Sequence, residues 1–357
     1  MDKAHRFYKN QSYNNISSFL LERMLFISQS VPYEEAVFVL QYFLGIDSNA
    51  TALFRLANHY GAQSSEIMET ETIGREVPVT DFVYAQSDGS MVLTREGDVK
   101  QKDASGAPTD NDTPQEYQNS SRQLKKKVKD GNWKGVKLCR LYHSSAKLGT
   151  DHRSWIEHTQ YAGSLDCLQD FKRKAEHLIA PYEKLDERLV FISDGASWIH
   201  KWQRENYPKA TQILDFFHAC EHLSAFIQLV IEDDSERKQW FKARKDELME
   251  SNLQAVIACI QEISKHKSKV IRKKASNLSE YYRKNEMRMD YKTYLQKGMQ
   301  IGSGAIEAAH RTVIQRRLKL SGQRWSIQGA QNILNLRVCY MSGRWNELVK
   351  IIRGTAA

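Results

Sequence analysis

Cysteine is scarce and scattered in this chain. Its five residues, Cys139, Cys167, Cys220, Cys259 and Cys339, include no CxxC pair. That pattern argues against a disulfide framework and against a thiolate zinc site, and it fits a reducing compartment. Long apolar runs are missing too: none reaches the ~18 residues that a membrane span needs. The polar start MDKAHRFYKN is not a secretory signal. A soluble, cytoplasmic protein is expected. No internal repeat is visible, and neither proline nor glycine occurs between Leu223 and Lys297.

What is present is positive charge and enough chain for a sizeable core. The sequence has 357 residues and a formal net charge of +9. At about 150 residues per domain this allows two or three domains, and the basic balance suggests a polyanionic partner, of which nucleic acid is the commonest.

Residues 1–75 read as helical. Phe19-Leu20, Met24-Leu25 and Ile27 have helical spacing, Pro32 opens a second helix through Leu44, and Ser48 caps a third. Three short helices with a Gly45 turn read either as a helix-turn-helix that binds DNA or as plain packing. From Pro78 the period changes. Phe82–Ala85 and Met91–Leu93 read as a strand pair about a turn at Asp88-Gly89-Ser90. Residues 96–132 are polar and read as a mobile surface insertion, in which Lys125, Lys126 and Lys127 form either a DNA contact or a solvated face. Gly135–Tyr142 reads as the next strand and residues 154–183 as one long helix stopped near Pro181.

The stretch from Leu189 to Leu223 carries the clearest chemistry. A short apolar run, Leu189–Ile192, stops at Ser193-Asp194-Gly195, which reads as a buried parallel strand ended by a turn. Asp194 is therefore expected at the carboxyl end of a strand, where catalytic groups collect in open α/β sheets. A helix from Ala196 to Asn206 and a second apolar run, Ile213–Phe217, complete a βαβ unit. Residues 223–299 read as an all-helical insertion with a basic face including Lys273 and Lys274. Finally, IGSGAIE places Glu307 in the first turns of a helix. Arg311, Arg316, Arg317 and Lys319 follow it and are expected to reach phosphates. Arg324 is grouped with them; Trp325 would either stack on a base or anchor packing.

Asp88, Asp194 and Glu307 are hard oxygen donors suited to Mg²⁺ or Mn²⁺, as two-metal phosphoryl transfer requires. Spacing alone does not select three acids out of 43. The motifs do: SDGSMV, WKGVKL, ISDGA, ILDFFHACEHL, IGSGAIEAAHRTVIQRRLK, SGQRWS and the closing LNLR with SGRW. In this order they resemble insertion-sequence transposases of the DDE class, above all the Kra-type group and more distantly the Mutator-like group, over most of the chain from about residue 30.

The resemblance implies an α/β fold: an RNase H-like mixed sheet flanked by helices, with an all-helical insertion and an amino-terminal helix-turn-helix-like region. It implies a catalytic core in residues 76–222 and 300–357, a metal triad of Asp88, Asp194 and Glu307 holding two Mg²⁺ or Mn²⁺ ions, and Asp215 and His218 as an accessory Asp-x-x-His element. The implied activity is cleavage of element ends and joining of the 3′-OH to target DNA, by a homodimer or larger assembly on paired ends. Two alternatives stay open: an inactive, transposase-derived DNA-binding protein, and an RNase H-like nuclease or resolvase without strand transfer. The chain departs from the family at Gly135, where an acid is usual, in the length of the 96–132 insertion, and at an amino terminus that begins late, so a family DNA-binding segment is expected to be truncated.

Overall fold

The structure, a computed structural model, describes residues 16–70, 74–95, 132–145 and 156–354. Its centre is one five-stranded sheet in the order β3-β2-β1-β4-β5. The strands are β1 Asp81–Thr94, β2 Asn132–Ser145, β3 Glu157–Leu165, β4 Leu189–Ser193 and β5 Thr211–Leu214. β1, β2 and β3 pair antiparallel, whereas β4 runs parallel to both β1 and β5. All five residues of β4 are buried, as a strand covered on both faces requires.

Three local expectations are corrected. Asp88-Gly89-Ser90 is no turn: β1 runs unbroken, in register with β2 from Asp81↔Ser145 to Thr94↔Asn132. A full antiparallel ladder outweighs the turn preference of Asp-Gly, because strand propensity depends on cross-strand partners. Residues 154–183 are not one helix. Glu157–Leu165 is the edge strand β3 against β2, and helix α4, Leu168–Ile179, begins only after Cys167, whose side chain accepts from the Asp170 N–H. The apolar run read as Ile213–Phe217 ends as a strand at Leu214, and Phe216 already starts a helix.

Helices α1 (Ser18–Ser30), α2 (Tyr33–Leu44) and α3 (Ala50–Glu69) open the described chain. Helix α5 is Ser197–Asn206, between β4 and β5. After β5 the chain is helical: α6 Phe216–Ile227, α7 Asp234–Met249, α8 Leu253–Ser264, α9 Lys269–Asn285 and α10 Tyr291–Gln296. A composite helix, α11, follows: an α-helical turn Gly304–Ala309, a π-helical segment His310–Gln315, and a last turn Arg316–Leu318. Helices α12 (Ile327–Met341) and α13 (Trp345–Ile352) close the described chain.

The two sheet faces bury different partners. Val83, Ala85 and Phe191 pack on Phe171 of α4 and Trp202 of α5. Tyr84, Val190 and Ile192 face the helical region through Phe216, Leu223, Val256 and Tyr282. The amino-terminal helices share a third core with α12 and the far end of β1, joining Leu53 and Leu56 to Ile333, Leu334 and Val92. Among the described residues, no helix is long and apolar enough to cross a membrane.

Candidate active site at the ends of the central strands

Parallel pairing of β1 with β4 puts Gln86 opposite Ile192. Two residues further on come Asp88 and Asp194. Neighbouring strands lie ~4.8 Å apart, so Asp88 on β1 and Asp194 just past β4 come close enough for the charge of Asp194 to act on Asp88. β4 ends at Ser193, so Asp194 stands in the loop, where its Oδ1 accepts the Ala196 N–H at 3.0 Å. Gly195 follows with φ +89°, and a Cβ there would lie 2.8 Å from Tyr281 Oη. That hydroxyl donates to the Asp194 carbonyl at 3.3 Å, tying α9 to the acid's loop.

Asp88 remains within β1 and accepts the Gly89 N–H at 2.6 Å. Burial raises its carboxyl above the ordinary carboxylate range. The Asp194 carboxylate adds to that rise, and His310, the Gly89 N–H and His218 oppose it. His310 Nε2 lies 3.5 Å from Asp88 Oδ2. His310 is itself buried, which lowers its pKa against the pull of Asp88.

Two buried side chains fix the segment that opens the Glu307 helix. Gln86 donates from Nε2 to Tyr142 Oη (2.9 Å) and to the Gly302 carbonyl (3.2 Å), and accepts the Ile306 N–H on Oε1 (3.0 Å). Asp215 caps α6, accepting from the Phe217 N–H at 2.8 Å and the His218 N–H at 3.4 Å. Its other oxygen accepts from the Ser303 N–H at 3.3 Å and from the Ser303 hydroxyl. Gly302 permits a close approach here: a Cβ on it would sit 2.6 Å from the Phe217 ring. Strand β1, helix α6 and the start of α11 thus meet at two hydrogen-bonded joints.

On the open side of Asp194, His218 and His222 stand one turn apart on α6, their Nε2 atoms 3.2 Å from each other, with His218 Nδ1 3.3 Å from Glu221. The His222 ring lies 4.7 Å from that of Tyr281. Beneath the loop, buried Arg288 reaches Ser193 Oγ at 3.4 Å and Asn285 Oδ1 at 2.9 Å; burial lowers its pKa.

The sequence-expected residues do not all meet. Asp88, Asp194, Asp215 and His218 are brought to one place. Glu307 lies on the facing helix and is exposed; His310, one turn on, is the residue that meets Asp88. The two aspartates are oxygen donors whose crowding a divalent cation would relieve, so they fit Mg²⁺ or Mn²⁺. Among the described residues, however, no three His, Cys, Asp or Glu side chains are drawn into one metal-holding group. Lys273, Lys274, Arg311, Arg316 and Lys319 are exposed, and Arg324 is half-buried. Lys125, Lys126 and Lys127 lie outside the described residues.

Arg317, expected on an exposed helix face, and Trp325, left open between base stacking and packing, are both buried. Arg317 is buried, its Nε donating to the Ser28 carbonyl at 3.1 Å and its guanidinium 4.8 Å from the rings of both Tyr33 and Trp325. It faces inward, because the helix face after the π segment turns that position onto α1 and α2. Trp325 is buried as well and donates to the Leu318 carbonyl at 3.2 Å, so it is a packing anchor. Gln86 and His310 were not identified from the sequence as site residues. Signals existed: Gln86 is the one strongly polar residue in the apolar run before Asp88, and His310 is three residues from Glu307 on a helix.

A scan against protein-family models gives no match to this chain, and a search of curated proteins finds none similar to it.

Proposed function

We propose that this chain is a DNA transposase of the DDE class with an RNase H-like core. One observation carries the reading: Asp88 and Asp194 come close together at adjacent parallel strands, in a sheet of order β3-β2-β1-β4-β5 whose first three strands are antiparallel. The helix bearing Glu307 is stitched to that point through Gln86 and Asp215. The motif resemblance assigns Asp88, Asp194 and Glu307 to divalent cations, which when bound supply positive charge to the attacking and leaving oxygens of a phosphodiester.

The residues of the chain supply the positioning. Gln86 and Asp215 hold the Glu307 helix against β1, and His310 stands beside Asp88 at 3.5 Å. His218 and His222 line the open side, where a phosphate would pass. The proposed reaction is hydrolysis at the ends of the element, followed by in-line attack of the freed 3′-OH on target DNA. Two paired ends imply a homodimer or larger assembly, acting in the cytoplasm on nucleoid DNA.

The exposed position of Glu307 favours one competing reading, a protein that binds element ends without cutting them. Cleavage of DNA bearing the ends that flank the gene, measured with Mg²⁺ or Mn²⁺ beside Asp194→Ala and Glu307→Ala, separates the two. The transposase reading expects cleavage that both substitutions abolish while binding persists. Wild-type binding with no cleavage favours the competing reading. Cleavage surviving both substitutions removes the assignment of the site.

A further inference from the structure

A cleft of about 700 Å³ opens where the end of β1 meets α2, α3 and the loop before α12. Its size falls in the range of small-ligand pockets, roughly 300–1,000 Å³. Arg95, Arg317, Arg324, Tyr33, Phe54 and Trp325 line it. The floor is rigid: Trp325 N–H donates to the Leu93 carbonyl at 3.2 Å and Arg95 N–H to the Trp325 carbonyl at 2.8 Å. Edge-to-face contacts join Phe54 to Tyr33 (6.0 Å) and Tyr33 to Trp325 (6.4 Å). Thr94, which bridges to Trp325, is six residues along β1 from Asp88, about 20 Å at ~3.3 Å per residue. The cleft is therefore separate from the aspartate pair.

Comparison of two buried arginines points to a ligand. Arg337 spends its donors inside the protein, on the carbonyls of Val313 (2.6 Å) and Gln29 (2.9 Å), on Gln29 Oε1 (3.0 Å) and on the Thr312 carbonyl. Arg317 is buried to a similar degree, yet its Nη2 has no hydrogen-bond partner among the described residues. A buried guanidinium with an unspent donor is costly, and it is held here by two aromatic faces and by the nearby Glu34 carboxylate. Three arginines line one cleft; guanidinium forks suit a phosphate, and the adjoining rings of Tyr33 and Phe54 suit a base beside it.

We infer that this cleft binds one nucleotide unit of single-stranded DNA, its phosphate on Arg317, Arg324 and Arg95 and its base against Tyr33 and Phe54. The inference rests on the DNA reading above for its choice of ligand, but not on the aspartate chemistry. In a duplex-binding enzyme, such a cleft would hold a strand separated from its complement at the element end.

The test is fluorescence anisotropy of a short, labelled, 5′-phosphorylated single-stranded deoxyoligonucleotide on the full chain. Arg95→Gln/Arg324→Gln, two positions with solvent access, is expected to weaken binding about tenfold or more, as loss of a charge-assisted contact should. Arg317→Met is expected to do the same where it folds. An abasic strand of equal length should bind about tenfold more weakly, having lost the stacked base. dAMP should compete better than inorganic phosphate if the unit is a nucleotide. Asp194→Ala should bind as wild type does, so loss of cleavage and loss of this binding are read separately. Wild-type affinity in the Arg95/Arg324 double variant, or binding lost only on Lys273→Glu/Lys274→Glu, overturns the site; equal affinity for the abasic strand overturns its nucleotide character.

Discussion

Arg337→Met should destabilise the fold, and the structure allows the size to be worked out. Residues 310–315 form a π-helical segment, which widens the ladder and leaves carbonyls to be satisfied from outside. Arg337 satisfies those of Thr312 and Val313 and, across the core, that of Gln29 on α1. Each buried carbonyl left without a donor costs about 1–3 kcal/mol, so three of them cost roughly 3–9. Against this stands relief. Burial lowers the pKa of Arg337 to about 10, a penalty of roughly 3 kcal/mol on its charged form that a neutral side chain avoids. The carbonyls win over most of that range: the difference is a net loss of about 0–6 kcal/mol, centred near 3. Urea unfolding followed by far-ultraviolet circular dichroism measures it, with Arg337→Lys as the partial replacement. A variant within about 0.5 kcal/mol of wild type, inside ordinary surface scatter, would show that the guanidinium is not what satisfies the π segment. Because that segment starts at His310, which faces Asp88, the proposed transposase activity predicts that the variant slows cleavage more than it weakens DNA binding.

Two further outcomes follow from the joints of the site. A double-mutant cycle of Asp215→Ala with Ser303→Ala should return a coupling of about 1.5–3 kcal/mol, the worth of hydrogen bonds to a buried charge; additivity would mean that Ser303 is held by its backbone alone. Asp88 has its folded pKa raised by burial and by Asp194, so its charged form opposes folding. The sign is then fixed: stability falls as pH rises from the ordinary carboxylate range, about 3.9, through the raised value. Asp88→Asn should accordingly raise the Tm at neutral pH, with the gain vanishing as pH falls through that window. A Tm lower than wild type at pH 7 would mean that His310 stabilises the carboxylate more than burial and Asp194 oppose it.

Much of the candidate site was legible because its signals are local. The run Leu189–Ile192 before Ser193-Asp194-Gly195 reads as a short buried strand ended by a turn, and β4 is that strand. The absence of glycine and proline between Leu223 and Lys297 gave a series of helices. What was not legible is non-local. The β2 ladder makes Asp88 a mid-strand residue although its neighbours spell a turn. β3 exists because β2 offers it an edge, and the apolar spacing of residues 154–183 does not distinguish strand from helix.

By itself, then, the sequence determined which segments are apolar, where strands stop, and which acids stand at those stops, since each follows from a few neighbouring residues. Tertiary structure decided the rest. It set Asp88 beside Asp194, which pairing of strands about a hundred residues apart must do. It turned His310 rather than Glu307 toward Asp88, and it buried Arg317 where a basic, solvent-facing helix was expected. The physical reason is the same in each case. Burial and charge depend on what lies across the gap, and the residues across these gaps are far away in the chain.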